Sequence, residues 1–117
     1  MTVRRIVANI ATDEIAPVRA FDAEVFGLAT LMDPGWIVAL GAPQMQAVQL
    51  GIATEGGSGT AVPALSIEVD DLDATFVRAQ AAGPPSAYGP AVEPWGVRRF
   101  YLRDPAGRLV NVPAHTG

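Results

Sequence analysis

From Arg5 to Ala11 the chain alternates Ile6, Ala8 and Ile10 with Val7, Asn9 and Ala11, the period of two that a strand covered on one face produces. Thr12-Asp13-Glu14 then supplies capping oxygens and negative charge. Ile15, Val18, Ala20 and Val25 follow at roughly helical spacing, and Gly27 is placed to stop the helix. Three short apolar runs come next, Leu28 to Met32, Trp36 to Leu40 and Met45 to Ile52. They are separated by Asp33-Pro34-Gly35 and Gly41-Ala42-Pro43, the pattern of an antiparallel meander. The same order returns further on. Leu65, Ile67 and Val69 alternate with Ala64, Ser66 and Glu68; Asp70-Asp71 caps a helix with Leu72, Phe76 and Ala79 on one face, which Gly83-Pro84-Pro85 ends. Short strands are predicted around Ser86 to Tyr88, Val97 to Arg103 and Leu109 to Pro113, with Asp104-Pro105-Ala106-Gly107 as the tight turn between the last two. The chain therefore reads as an α+β domain of two βαβββ modules, about 1–53 and 64–117. Val18-Arg19-Ala20 and Val77-Arg78-Ala79, at comparable helix positions, are a trace of duplication.

Between the modules, Thr54-Glu55-Gly56-Gly57-Ser58-Gly59-Thr60 has almost no core-forming residue, so 54–63 is expected to be a flexible connection. A phosphate loop is the other reading of its glycines, but no helix opening on a lysine follows. With 117 residues and half of them hydrophobic, the chain has enough apolar material for one packed domain. Its net charge is −4. Cysteine is absent, which removes disulfides, thiolate nucleophiles and sulfur-ligated zinc. All eight basic residues are arginine, so Schiff-base and P-loop lysine chemistry are excluded as well. A Ser/His/Asp triad would have to use His115, the single histidine, which reads as a residue of the solvated tail. The acidic balance argues against nucleic acid, although Arg98, Arg99, Arg103 and Arg108 form a local basic cluster. No apolar run approaches the ~20 residues of a membrane helix, and no signal-peptide core opens the chain, so a cytoplasmic protein with neither a membrane nor a nucleic-acid partner is expected.

Phe21-Asp-Ala-Glu-Val-Phe-Gly-Leu28 at the close of the first helix, Val69-Asp-Asp-Leu-Asp73 at the opening of the second, and Pro94-Trp-Gly-Val-Arg-Arg-Phe-Tyr-Leu-Arg-Asp-Pro-Ala-Gly107 near the end resemble the vicinal oxygen chelate superfamily. That group includes glyoxalase I, extradiol dioxygenases, fosfomycin-resistance enzymes and bleomycin-resistance proteins. The Pro-Trp-Gly and Arg-Asp-Pro-Ala-Gly stretches are most similar to the bleomycin-binding branch. The resemblance implies curved mixed sheets around an open concave cavity, helices on the outer face, and pairing of two chains. The connection at 54–63 leaves room for modules to be exchanged between them. It also implies where a catalytic metal would be held. Counted from the helix starts and from the last glycine turn, those positions fall on Val7, Ala64 and Asn111, with a fourth near Ala47 to Gln49. Valine and alanine carry no donor atom, so no metal and no cofactor is expected.

Strand parity places Val7, Asn9, Ala11, Ala64, Ser66 and Glu68 on the concave face, opposite a helix-packed set of Ile6, Ala8, Ile10, Leu65, Ile67 and Val69. Arg99, Tyr101 and Arg103 come from the next-to-last strand and Asn111 from the last. Glu68 is then the one carboxylate expected inside, either as a general base or, on ordinary structural grounds, ion-paired with Arg99 or another arginine of the cluster. Trp36 covers a core or contacts a ligand; Trp95, in the Pro-Trp-Gly loop, borders the groove in the resembling proteins and offers a stacking face. The expected function is metal-free sequestration of a small organic molecule by a homodimer, with Asn9, Trp36, Gln49, Ser66, Glu68, Trp95, Arg99, Tyr101 and Asn111 as ligand-binding residues. The alternative is a lyase, isomerase or dioxygenase of the same fold, with atypical metal ligands or Glu68 as base.

Overall fold

A computed structural model describes residues 2–42 and 45–116; the side chains of 42 and 45–48 lie outside the description. Eight strands and two helices run in the order β1 (Val3–Ala11), α1 (Ile15–Phe26), β2 (Ala29–Met32), β3 (Ile37–Ala42), β4 (Met45–Ala53), β5 (Leu65–Val69), α2 (Leu72–Ala82), β6 (Tyr88–Glu93), β7 (Val97–Arg103) and β8 (Leu109–His115). This is the α+β, twice βαβββ order that the periodicities predict. By its contacts the chain divides into two compact units: Val7–Val62, and the residues before Val7 together with those from Pro63 onward.

Both units have one topology. In the first, β1 runs parallel to β4, which pairs antiparallel with β3, and β3 with β2. In the second, β5 runs parallel to β8, which pairs antiparallel with β7, and β7 with β6. The first residues of β1 lie beside β5, where Thr2 and Asp70 exchange hydrogen bonds. Each helix covers its own sheet. In the second unit Phe76, Ala79, Leu65 and Ile67 pack on Val69, Leu72, Phe100, Val110, Val112 and Ala114. Phe76 meets Phe100 edge to face at 5.0 Å, a geometry that adds about 0.5–1.5 kcal/mol to the area buried. Asp71 caps α2 by accepting from the Ala74 N–H at 3.0 Å, as its position predicts.

In the first unit the helix packs less broadly. Ile15, Val18 and Leu28 cover Val38, Leu40 and Ile52, with the buried Asp22 on the same inward side of α1. Ala8 and Ile10 pair with Leu50 and Ile52, so they do share the helix-side parity. Yet α1 lies over β3 and β4, and Ile6, Ala8 and Ile10 remain exposed, as do Ala20 and Val25 of the helix itself. Parity set the face of each residue; how far the helix reaches across the sheet decided burial. Gly27 ends α1 in the left-handed conformation (φ 67°), as its place in the sequence predicts.

Two local expectations are corrected. The connection after Thr54 is closed by its own hydrogen bonds, from Gly56 N–H to Thr60 O at 2.8 Å and from Gly59 N–H to Glu55 Oε1 at 3.0 Å. Its glycines make an ordered turn by taking positive φ at Gly57 and Gly59. The strand expected around Ser86 to Tyr88 is instead β6, which begins at Tyr88 and continues through Gly89-Pro90 to Glu93. The turn predicted at Gly41-Ala42-Pro43 falls partly outside the described residues.

Candidate functional site

The face of the second unit turned away from α2 carries a row of polar and aromatic side chains. Register alone aligns four of them across the sheet: Ser66 with Asn111, Asn111 with Tyr101, and Tyr101 with Tyr88. One row further along, Arg99 pairs with Pro113 and Ala91, and beyond it Val97 pairs with His115 and Glu93. Phe100 and Leu102, on the other parity of β7, go to the helix-side core.

A bulge in β6 completes the row. Tyr88 and Ala91 are three positions apart while their partners Tyr101 and Arg99 are two apart, so one extra residue is inserted at Gly89-Pro90. Tyr88 and Glu93 are five apart, an odd separation that an uninterrupted strand would turn to opposite faces. The inserted residue brings them onto one face, where the Tyr88 hydroxyl donates to Glu93 Oε1 at 3.1 Å.

The centre of this arrangement is an ion pair. Arg99 Nε donates to Glu93 Oε2 at 2.8 Å and Nη2 lies 2.7 Å from the same oxygen, with the two side chains only 3% and 4% exposed. The guanidinium is surrounded by aromatic rings, 4.9 Å from the centroid of Tyr101, 5.0 Å from Trp95 and 5.4 Å from Tyr88. Buried pairs of this kind contribute little net stability against an apolar replacement, because desolvation offsets the attraction. What they supply is a fixed geometry. Here the fixed object is a platform of rings around a cation, with Trp95 at its edge and 37% exposed. Beside it Asn111 donates from Nδ2 to Ser66 Oγ at 3.1 Å, while its buried Oδ1 has no hydrogen-bond partner among the described residues.

The predicted residues therefore separate. Ser66, Tyr101, Arg99, Trp95 and Asn111 come together as one site. Glu68 shares their face, but its partner is not Arg99: Glu68 Oε1 meets Arg5 Nη2 at 2.8 Å, and Oε2 lies 3.5 Å from His115 Nδ1. The reading of Glu68 as an ion-paired residue holds in kind with a different arginine, supplied by β1 through sheet order. Glu68 is also not the one inward carboxylate, since Glu93 is the more buried and had no place in the sequence reading. The arginine cluster is divided as well. Arg98 turns away from Arg99 to pair with Asp73 at 2.8 Å, and Arg103 donates to Gly107 O at 3.0 Å. Asn9, Gln49 and Trp36 belong to the first unit. There Asn9 lies across from Gly51, its amide against the space that a Cβ on Gly51 would fill. Gln49 is on the same side of β4, and the Trp36 carbonyl accepts the Thr54 N–H at 3.0 Å.

A metal does not fit the positions at which the resemblance would place one. Val7 and Ala64 have no donor, and Asn111 offers one neutral amide oxygen, too few donors to hold a divalent ion. The fourth position, at Ala47 to Gln49, falls partly outside the described residues. Among the described residues no group of three His, Cys, Asp or Glu side chains is disposed to hold an ion. Among the described residues no helix is long and apolar enough to cross a membrane.

The sequence of residues 8–112 matches the Glyoxalase/Bleomycin resistance protein/Dioxygenase superfamily. The chain belongs to that superfamily. Among solved structures it is similar to a superfamily member from Vibrio splendidus 12B01 (18% identity, 97% of this chain and 99% of that one, TM-score 0.68). It is also similar to methylmalonyl-CoA epimerase from Mycobacterium tuberculosis (18%, 98% and 88%, TM-score 0.66). A third is the Mn(II)-bound glyoxalase from Novosphingobium aromaticivorans (20%, TM-score 0.64), where it covers 96% of this chain and 38% of the other. At these identities the likeness establishes the fold. No curated protein sequence matches.

Proposed function

We propose that this protein binds a small organic molecule without a metal, in the manner of the bleomycin-resistance branch, and that the polar and aromatic face of the second unit is where it does so. The observation that carries the reading is the arginine-centred platform of Tyr88, Trp95 and Tyr101 beside the unpartnered Asn111 Oδ1. Trp95 presents a face for a planar or cationic group, and Asn111 accepts a hydrogen bond from a guest N–H or O–H. Stacking and apolar burial supply affinity, and the few polar atoms supply orientation. Arg99 is committed to Glu93, so it shapes the platform and is not the group that greets the ligand.

The test is tryptophan fluorescence during a screen of planar and cationic compounds, in a Trp36→Phe background that leaves Trp95 as the reporter. Saturable quenching is expected for a subset of compounds. For those, Trp95→Ala should weaken binding about 3–10-fold, as measured calorimetrically, the range that one aromatic contact provides. A silent Trp95 across the screen contradicts the reading. We place the site in a homodimer, in which a second copy covers the apolar residues Phe21, Val25 and Phe26 that α1 leaves exposed. Sedimentation equilibrium should return twice the chain mass, and a monomer at micromolar concentration removes the dimer.

A further inference from the structure

A cage of aromatic rings selects a cation, because the ring faces are electron-rich. In the second unit that place is filled by the chain itself. The Arg99 guanidinium lies 4.9 Å from the ring of Tyr101, 5.0 Å from Trp95 and 5.4 Å from Tyr88. Its side chain is 3% exposed, so the ring face that it covers is closed to solvent, and the exposed part of Trp95 is turned away from it. The charge is closed off as well. Glu93 Oε2 takes Arg99 Nε at 2.8 Å and Nη2 at 2.7 Å, and Glu93 Oε1 accepts the Tyr88 hydroxyl at 3.1 Å, so both carboxylate oxygens are engaged. Further along the same face Glu68 is engaged by Arg5 at 2.8 Å, with His115 Nδ1 3.5 Å away, and the exposed Arg103 donates to Gly107 O at 3.0 Å.

A charged guest on this platform would leave water without meeting an opposite charge, and its desolvation offsets what stacking returns. One polar atom of the site has capacity left. Asn111 is 9% exposed, and its buried Oδ1 has no hydrogen-bond partner among the described residues, so it takes a donor and disfavours a carboxylate. We propose that the guest of this site is a neutral planar ring bearing an N–H or O–H donor, of the aromatic amide or phenol class, stacked on the outer face of Trp95 and donating to Asn111. This rests on the platform being the binding site, and adds its selectivity. Cations are disfavoured because Arg99 already occupies the cage, and anions because Glu93 neutralises Arg99. Glu93 is thereby a specificity-determining residue, for without its charge the same rings would surround an uncompensated guanidinium.

Three probes of one shape separate the charges: benzamide, which is neutral, benzamidine, its cationic isostere, and benzoate, its anionic one. Methyl benzoate, neutral but without a donor, is the fourth. Each is titrated at neutral pH and constant ionic strength into the Trp36→Phe protein, and binding is read by NMR from the indole N–H signal of Trp95. Benzamide should bind about tenfold or more tightly than either ion. Its advantage over methyl benzoate should be about 3–10-fold, the range of one hydrogen bond, and Asn111→Leu should erase that difference. Glu93→Gln should turn the order round in favour of benzoate, with the melting temperature verifying that the variant is folded; if it is not, the four probes on the unaltered platform decide the matter by themselves. Benzamidine, benzoate or methyl benzoate bound as tightly as benzamide overturns the proposal and leaves the platform standing. Silence of Trp95 to all four probes overturns it too, and silence across the wider screen removes the platform as well.

Discussion

Arg99→Met is expected to lower the unfolding free energy by about 3–5 kcal/mol, because it leaves the Glu93 carboxylate buried without its partner. The effect of the single change exceeds the worth of the pair. Removing both charges together, as Arg99→Met with Glu93→Leu, should restore most of the loss, since an apolar pair of similar volume avoids the desolvation that the ions carry. The residual deficit reflects the Tyr88 hydroxyl, which then lacks its acceptor, and the lost ring contacts of the guanidinium. Urea titrations of the wild type, both single variants and the double variant give the cycle, with an unchanged slope as the condition for comparing midpoints. A double variant as unstable as Arg99→Met would mean that the rings around the cation, and not the unpaired charge, set the cost.

Gly89→Ala should be nearly as damaging, at roughly 2–6 kcal/mol from backbone strain and steric conflict together. Gly89 has φ +75°, a region that side chains rarely adopt, and a Cβ there would come within 2.6 Å of the Arg99 carbonyl oxygen and 2.9 Å of the Ala91 nitrogen. Both are backbone atoms of the bulge and of the strand it pairs with, so no rotamer change relieves the contact. The consequence reaches the site. If the bulge is lost, Tyr88 and Glu93 return to opposite faces, and the ring around Arg99 opens on that side. The variant should therefore lose ligand affinity as well as stability, whereas a stability loss with unchanged affinity would separate the bulge from the platform.

The contrast between these elements explains what could be read from the chain alone. Strands β5, β7 and β8, helix α2 and the Asp71 cap were legible because each is marked by a pattern of residue types within a few positions. The Asp104 turn was legible for the same reason: Asp104 Oδ1 accepts the Ala106 and Arg108 N–H groups at 2.9 Å. Strand parity also placed Ser66, Arg99, Tyr101 and Asn111 on one face. It failed at β6, where Gly89-Pro90 reads as a break in the strand and is instead a bulge inside it. Because the bulge changes parity, counting from Tyr88 hides Glu93. The signal that could have exposed it is the spacing Glu93-Pro-Trp-Gly-Val97, a tight turn that puts Glu93 across from Val97 and on the side of Arg99. The partner of Glu68 was out of reach for another reason. Arg5 lies 63 positions earlier, and only the adjacency of β1 and β5 brings the two together. Likewise, the span of α1 over β3 and β4, which leaves Ile6 and Ile10 uncovered, depends on helix placement and not on pattern.

Valine and alanine stand where the resemblance would place metal ligands, and the most direct measurement is calorimetric titration of the untagged, chelator-treated protein with Mn²⁺, Ni²⁺ and Zn²⁺. Heats no larger than weak, non-saturating surface binding are expected, and ligand quenching of Trp95 should be the same with and without added metal. A saturable site with one ion per chain, or ligand binding that appears only when the ion is added, would contradict metal-free binding.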